Sequence, residues 1–414
     1  MRSFYSQWRR TLTKKPRGKG GDAGRARVLE SPNTLPPMHV VWFAEIKWDY
    51  LRTRKQQLVR RRPSGTDVLF LEPWTRGRDN PPGLRSRDGI SVGTVPFLKA
   101  IPSGPLRGLL ATPPARRAVD ALALRRVRQH LTRAGVDPAR ATFVVSNVFA
   151  IDVALALKPA RLVYDMNDAH ADFPGMPYWT HDYQERTLRR ADAVTASGAV
   201  LADEAARVRG SDAGVHRIGN GVDVALFAGV HGTAAPDTGV RIGYLGAVGP
   251  WFDFQLVCDA ARRKPEWRFD VIGPVLAGTA DGVAALSALP NVSLRPAVAH
   301  EDVPRVMASF TVGLIPFLST PLTAGVNPNK LYEYLAAGVP VVSTPFSRDV
   351  LENAGLVERV SDPAQLVAAC ERLAAARQDA AQRAGLAARA ADLAARFDWD
   401  RLAAAFWQVV LTPR

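Results

Sequence analysis

The sequence predicts an α/β protein built from two doubly wound parallel-sheet domains facing each other across a cleft. Three observations predict it. Short β-branched runs alternate with helical patterns along most of the chain, the pattern of βαβ units. A stretch of small and turn-forming residues, HGTAAPDTG at 231–239, divides that alternation into two series. The 414 residues, 47% of them hydrophobic, are enough for two full cores.

Taken in order, residues 1–37 form a basic tail holding nine basic residues against Asp22 and Glu30, close to half of the formal charge of +15. Gly, Pro, Arg and Lys dominate 13–37, a composition that predicts disorder. Ahead of it, Phe4, Trp8 and Leu12 recur every four residues among Arg9, Arg10, Lys14 and Lys15. That is the pattern of a short basic amphipathic helix suited to an anionic membrane surface. Met38 directly precedes the first strand, where an alternative start would stand.

The first domain is expected over 38–232. Its strands are the run His39–Ala44, then DVLFLEP, ATFVVSN, ARLVYD, ADAVTAS and GVHRIGN, with a basic helix over 115–134. The second is expected over 239–395, with strands VRIGYLG, WRFDVIG, NVSLRP, FTVGLIPF and VPVVST. Residues 396–414 contain FDWDRLAAAFWQVVL, an amphipathic helix expected to cross back to the first domain. Its FDWD matches a D-x-D metal pattern, but Asp398 stands where an N-cap belongs. HEDVPRV, near 300, lacks metal-ligand spacing. No apolar run is long enough to span a bilayer and no signal-peptide core follows the N-terminus. Cys258 and Cys370 lie in apolar helical contexts, as buried free thiols would, which suits a reducing cytoplasm.

The stretch NPNKLYEYLAAGVPVVSTP at 327–345 carries the strongest functional signal. Asn327 reads as an N-cap and Pro328 as the first helical residue; Leu331, Tyr334 and Leu335 follow at helical spacing, and Gly338 stops the helix. Lys330 therefore falls in the first turn, where the helix dipole disfavours a cation. A phosphate held between Lys330 and the helix amides resolves the conflict. A Lys330–Glu333 surface pair is the alternative, in the poorer of the two orientations and worth at most about 0.5 kcal/mol. Asn327 and Asn329 flank the lysine, and Glu333, one turn on, is suited to ribose hydroxyls. In the same predicted sheet, Gly243, Gly246 and Gly249 are spaced G-x-x-G-x-x-G, and Gly246 and Gly249 would let the backbone approach a ligand.

NGVD at 220–223, IGYLGAVGPWFDF and NPNKLYEYLAAGVPVVST together resemble a GT-B glycosyltransferase of the family 4 or group 1 type, in the bacterial branch that builds extracellular and cell-wall polysaccharides. WDYLRTRKQQLVRR, VYDMNDAHADFPG and ERTLRRADAVTASGAVLADE are similar to that branch's N-terminal domain. The resemblance runs from about residue 38 to the C-terminus. It implies a GT-B fold and transfer of a sugar from a nucleotide diphosphate sugar to a glycan or lipid-linked acceptor. It also implies that Asn329 and Lys330 meet the diphosphate, that Glu333 holds the ribose, and that no metal or cofactor is needed. One departure stands out. The family's E-x7-E pattern has Gly325 at its first position here, which leaves retention or inversion at the anomeric centre open.

A catalytic acid or base is expected from the opposite domain, where RLVYDMNDAHADF places Asp165, Asp168 and His170 beyond a strand. Asp168 is the first choice, with Asp165 and His170 in reserve; each aspartate also suits a turn or helix cap. Trp48, Asp49 and Arg54 are expected on the acceptor side, by the rule that ligands gather at the carboxyl ends of parallel strands. A nucleotide-sugar epimerase of the same fold is the alternative enzyme. The basic charge raises nucleic-acid binding as a third reading, set aside because the charge concentrates in the tail and no recognised nucleic-acid motif is present. The expected setting is the cytoplasm, at the inner face of the membrane.

Overall fold

The computed structural model describes residues 38–413 apart from 51, 100–103, 174, 231–238 and 354–356. The readings made of the basic tail lie outside the described residues, as does most of the segment between the two series.

The first sheet has eight strands: β1 (Met38–Phe43), β2 (Thr66–Pro73), β3 (Arg85–Arg87), β4 (Ile90–Val95), β5 (Thr142–Val145), β6 (Arg161–Met166), β7 (Ala193–Ala196) and β8 (Val215–Arg217). Their order is β3-β4-β2-β1-β5-β6-β7-β8, parallel throughout except for the β3–β4 hairpin. The second sheet is wholly parallel: β9 (Arg241–Leu245), β10 (Arg268–Ile272), β11 (Val292–Arg295), β12 (Val312–Ile315), β13 (Val341–Ser343) and β14 (Val357–Arg359), in the order β11-β10-β9-β12-β13-β14. Each sheet reverses its winding once, between β1 and β5 and between β9 and β12. Ligand crevices open at the carboxyl ends of strands beside such reversals.

Alternation along β1 shows why the sequence builds a doubly covered sheet. Val41 and Phe43 enter the core on one face, with the helix Pro113–Ala134. Val40 and Trp42 enter the core on the other, which includes Trp399, Phe406 and Trp407 of the helix Trp399–Leu411. Both faces being buried, the strand reads as a continuous apolar run. Trp42 stacks on Phe406 with ring centroids 5.4 Å apart, and Trp407 Nε1 donates to the Leu58 carbonyl at 2.8 Å. The last helix therefore packs on the first sheet, although the helix before it, Ala380–Arg396, packs on the second-domain helix Asn329–Ala336.

The chain returns to the first sheet beside Val222, whose amide donates to the Phe397 carbonyl while the Trp399 amide donates back to Val222. Gly221 permits this approach: a Cβ there would lie 2.2 Å from the Phe397 oxygen. Asp398 caps the final helix through the Asp400 amide.

Candidate functional site

The donor side is built at the reversal point of the second sheet. The helix Asn329–Ala336 follows β12 and buries Leu331, Tyr334 and Leu335. It ends in a Schellman turn, with Gly338 at φ +70° donating to Leu335 and Val339 donating to Tyr334. Its start corrects the sequence reading. Pro328 is the N-cap and the helix has no side-chain cap. Asn327 is buried instead: its amide donates to the Tyr332 hydroxyl and to Asp349 at 2.9 Å each, and accepts from the Asn220 amide at 3.0 Å. With donors and acceptor engaged, Asn327 joins the two domains and offers nothing to a ligand.

Lys330 leaves the first turn and lies over the loop after β9. A Cβ on Gly246, whose φ is +154°, would come within 3.1 Å of Lys330 Nζ. Only a residue without a side chain leaves the ammonium that space. Nζ lies 4.9 Å from the Tyr244 ring centre and 4.6 Å from that of Phe317. The loop is held by Tyr244, which donates to the Ala247 carbonyl at 2.6 Å, and by Tyr334, which donates to Gly243 at 3.0 Å and accepts from the Leu245 amide at 3.1 Å. Gly249 departs from the expected role, since it is buried beneath the indole of Trp251 and serves packing.

Lys330 makes no ion pair among the described residues, so the Lys330–Glu333 bridge weighed from sequence does not form. Burial pushes the Lys330 ammonium down to about 8, against an opposing pull from Glu333. Burial likewise raises the Glu333 carboxyl to about 7, against Lys330. Asn329 Oδ1 is buried without a hydrogen-bond partner among the described residues. A cation, an orphaned amide oxygen and a carboxyl thus converge at a helix N-terminus whose first amides lack intrahelical acceptors.

Across the cleft, the loops after β1 and β6 and the helix Arg54–Arg60 bring together Glu45, Lys55, Asn167, Asp168 and His170. Lys55 is buried, pairs with Glu45 at 2.5 Å and donates to Asn167 Oδ1 at 3.2 Å. Asn167 Nδ2 donates to Asp168 at 2.8 Å, and His170 Nε2 lies 3.4 Å from Asn167 Oδ1. Burial raises the Asp168 carboxyl, outweighing His170 and Lys55. For Glu45 burial also acts upward, but Lys55 and His170 together hold it below the usual carboxylate range. Two neighbouring carboxyls are therefore driven apart, the arrangement that separates a proton acceptor from a fixed charge.

Three expected residues prove structural. Asp165 is fully buried, accepting from Arg54 Nε at 3.1 Å and from the Thr195 hydroxyl at 2.9 Å. Arg54 is buried with it and donates to the Gly219 carbonyl at 2.7 Å. Trp48 is core, edge-on to Phe70 with Nε1 donating to Asp88 at 2.9 Å. Asp49 is exposed and accepts from Arg87 at 3.3 Å. Sequence reasoning missed Glu45, Lys55 and Asn167, although Glu45 follows the first strand almost directly, where the ligand rule points.

The second domain touches the first at Gly325. A Cβ there would lie 3.2 Å from Leu201 and 3.6 Å from Ala169, the residue between Asp168 and His170. The first position of the family's paired-glutamate pattern thus abuts the first domain, with little room for a side chain. Among the described residues, no group of three or more His, Cys, Asp or Glu is placed to hold a metal ion.

Residues 240–376 match the family model described as Glycosyl transferases group 1. TuaH of Bacillus subtilis, whose name assigns it as a glycosyltransferase of teichuronic acid biosynthesis, is 32% identical over 199 residues. That match takes in 45% of this chain and 50% of the relative, so the chain spans about half the length of the curated relative it matches. Two solved structures share the fold. HepE of Anabaena, in complex with UDP-glucose, aligns with a TM-score of 0.62 at 15% identity, over 89% of this chain and 98% of its own. Sucrose-phosphate synthase of Thermosynechococcus elongatus aligns with a TM-score of 0.66 at 15% identity, over 90% and 98%.

Proposed function

For a chain with the GT-B fold whose second domain is of the glycosyl transferases group 1 type, we propose transfer of a sugar from a nucleoside diphosphate sugar to a hydroxyl of a glycan or lipid-linked acceptor. The observation that carries this reading is Lys330, a cation without a carboxylate partner, set over Gly246 at the N-terminus of a helix. A diphosphate satisfies the ammonium and the free amides together. Glu333 accepts from the ribose hydroxyls and Asn329 Oδ1 gains a donor. UDP is the first nucleotide to test, because the fold neighbour HepE was solved with UDP-glucose.

Asp168 faces this donor from the first domain and accepts the proton of the acceptor hydroxyl, or orients that hydroxyl if the anomeric configuration is retained. The Asn167 amide and His170 position it. Charge developing on the departing diphosphate falls on Lys330 and the helix amides, so turnover proceeds without a divalent metal and persists in EDTA. The relationship to TuaH, named for teichuronic acid biosynthesis, supports a cell-envelope polysaccharide as the product class. A lipid-linked acceptor would set the reaction at an anionic membrane surface in the cytoplasm.

A thermal-shift comparison of UDP with uridine tests the central claim. UDP is expected to stabilise the protein by mass action, and Lys330→Ala to remove most of the UDP shift while sparing the smaller uridine shift. Equal loss for both ligands would assign Lys330 to the fold.

A further inference from the structure

The helices Pro105–Leu110 and Pro113–Ala134 turn an unusual face outward. Residues 105–134 hold seven arginines and a single acid, Asp120. Asp120 is half-buried, and burial with neighbouring Asp152 lifts its carboxyl to about 7. The exposed positions are therefore free of acidic residues. Arg117, Arg125 and Arg128 recur along one exposed side of the longer helix and make no ion pair among the described residues. Arg125 and Arg128, with Gln129, Thr132 and Arg133, border an open depression of about 430 Å³.

Three leucines accompany these cations. Leu106, Leu109 and Leu122 are 57%, 56% and 57% exposed. Leu106 and Leu109 are one turn apart and share a side of the short helix. Arg116 fixes the junction between the helices: it donates to the carbonyls of Leu110 at 3.1 Å and Ala111 at 2.8 Å, and its guanidinium lies 5.0 Å from the Trp179 ring. The adjoining Tyr178 is 76% exposed.

We propose that this face of the first domain docks on an anionic lipid bilayer, its leucines entering the acyl boundary and its arginines meeting lipid phosphates. The face carries both terms that interfacial binding needs, apolar area and cationic charge. A nucleic acid or acidic polymer would use the arginines and leave the leucines in water. A second copy of the same face would set guanidinium against guanidinium. The docking extends the acceptor reading above and places the cleft beside lipid-linked substrates, but its test does not depend on nucleotide binding.

Sedimentation of the full chain with phosphatidylglycerol-containing and pure phosphatidylcholine vesicles decides the matter. The unmodified protein should pellet with the anionic vesicles alone, and less as salt is added. The triple variants Leu106→Ser, Leu109→Ser, Leu122→Ser and Arg117→Ser, Arg125→Ser, Arg128→Ser should each bind at least about tenfold more weakly. All six side chains are exposed, so melting temperature and the UDP shift should stay unchanged and report an intact fold. Leucine variants that pellet like the unmodified protein would overturn the proposal, assigning any binding to charge alone or to another segment. Equal pelleting with neutral vesicles would overturn it too. Absence of a UDP shift in the unmodified protein would instead count against the glycosyltransferase reading.

Discussion

Lys330 and Glu333 hold opposite charges in an environment that favours neither, and this sets a pH signature. The ammonium binds phosphate only when protonated, and its pKa of about 8 in the free protein means affinity falls as pH rises through that value. The Glu333 carboxylate accepts from ribose only when ionised, so affinity also falls as pH drops through about 7. Calorimetric titration of UDP between about pH 6 and about pH 9 should give a bell with its maximum between the two pKa values. A flat profile would remove both groups from the nucleotide. The same burial destabilises the free protein: with the lysine pKa below its unfolded value, stability rises with pH above about 8, because the unfolded chain binds the proton more tightly there. Lys330→Met should therefore raise the melting temperature of the free protein while losing the UDP response, the usual trade between a stored charge and stability. At Asp168, exchange for Asn keeps the shape and removes the basicity. Asp168→Asn should leave the UDP shift intact and lower transfer by about 10²-fold or more. Transfer near the original rate would pass the role to Glu45 or His170.

Elements were legible wherever apolar periodicity and punctuation agreed. Six strands of the first sheet, five of the second and the stop at Gly338 follow from β-branched runs and from a turn that needs a left-handed residue, whereas β14, three residues long, escaped. The β3–β4 hairpin escaped because β3 is three residues long and polar. Its turn residues, Asp88 at φ +49° and Gly89 at φ +72°, are nonetheless the Asp-Gly pair that a tight hairpin favours. Start signals were less faithful than stop signals. Asn327 has the side chain of a cap, but a contact distant in sequence, Asp349, claims it. Arg54 and Asp165 misled for the same reason: a charge near a cleft reads as functional until its partner, 111 residues away, is seen. Trp407 allows an element-scale test. It is buried, and its indole donates to Leu58 of the first-domain helix Arg54–Arg60, against which the last helix packs. Trp407→Ala should destabilise the protein by about 3–5 kcal/mol, measured by urea unfolding. A loss below about 1 kcal/mol would mean that the last helix contributes little to the first domain's stability.

At the scale of the molecule, the two half-sites act together only if the domains hold their relative position, and one buried carboxylate does much of that holding. Asp349, at the first turn of the second-domain helix Arg348–Leu351, accepts from the Ala199 amide at 3.0 Å, from Arg217 at 2.8 Å and from Asn327 at 2.9 Å. Ala199 opens the first-domain helix Ala199–Arg209, which has Gly198 as its N-cap and no side-chain cap of its own. Asp349 therefore caps a helix of the other domain, where the dipole favours its charge. Gly198 leaves room for it: a Cβ there would lie 2.9 Å from the carboxylate. Asn220 fastens the same corner, its backbone amide donating to the Asn327 side chain at 3.0 Å and its side chain to the Asn327 carbonyl at 2.8 Å. Removing Asp349 leaves the Ala199 amide and one Asn327 amide hydrogen without an acceptor, while Arg217 keeps Glu352, at a cost on the order of 2–3 kcal/mol where the two donors stay buried. Opening the domains exposes those donors to water, so Asp349→Ala should shift the population toward open arrangements. Because apparent affinity scales with the competent fraction, transfer from a donor sugar to acceptor should fall more than UDP binding, which needs the second domain alone. Small-angle scattering should show a larger radius of gyration in Asp349→Ala, reversed in part by donor and acceptor together. An unchanged radius with unchanged transfer would leave the domains held by their apolar contacts, and Asp349 as a helix cap without leverage on the cleft.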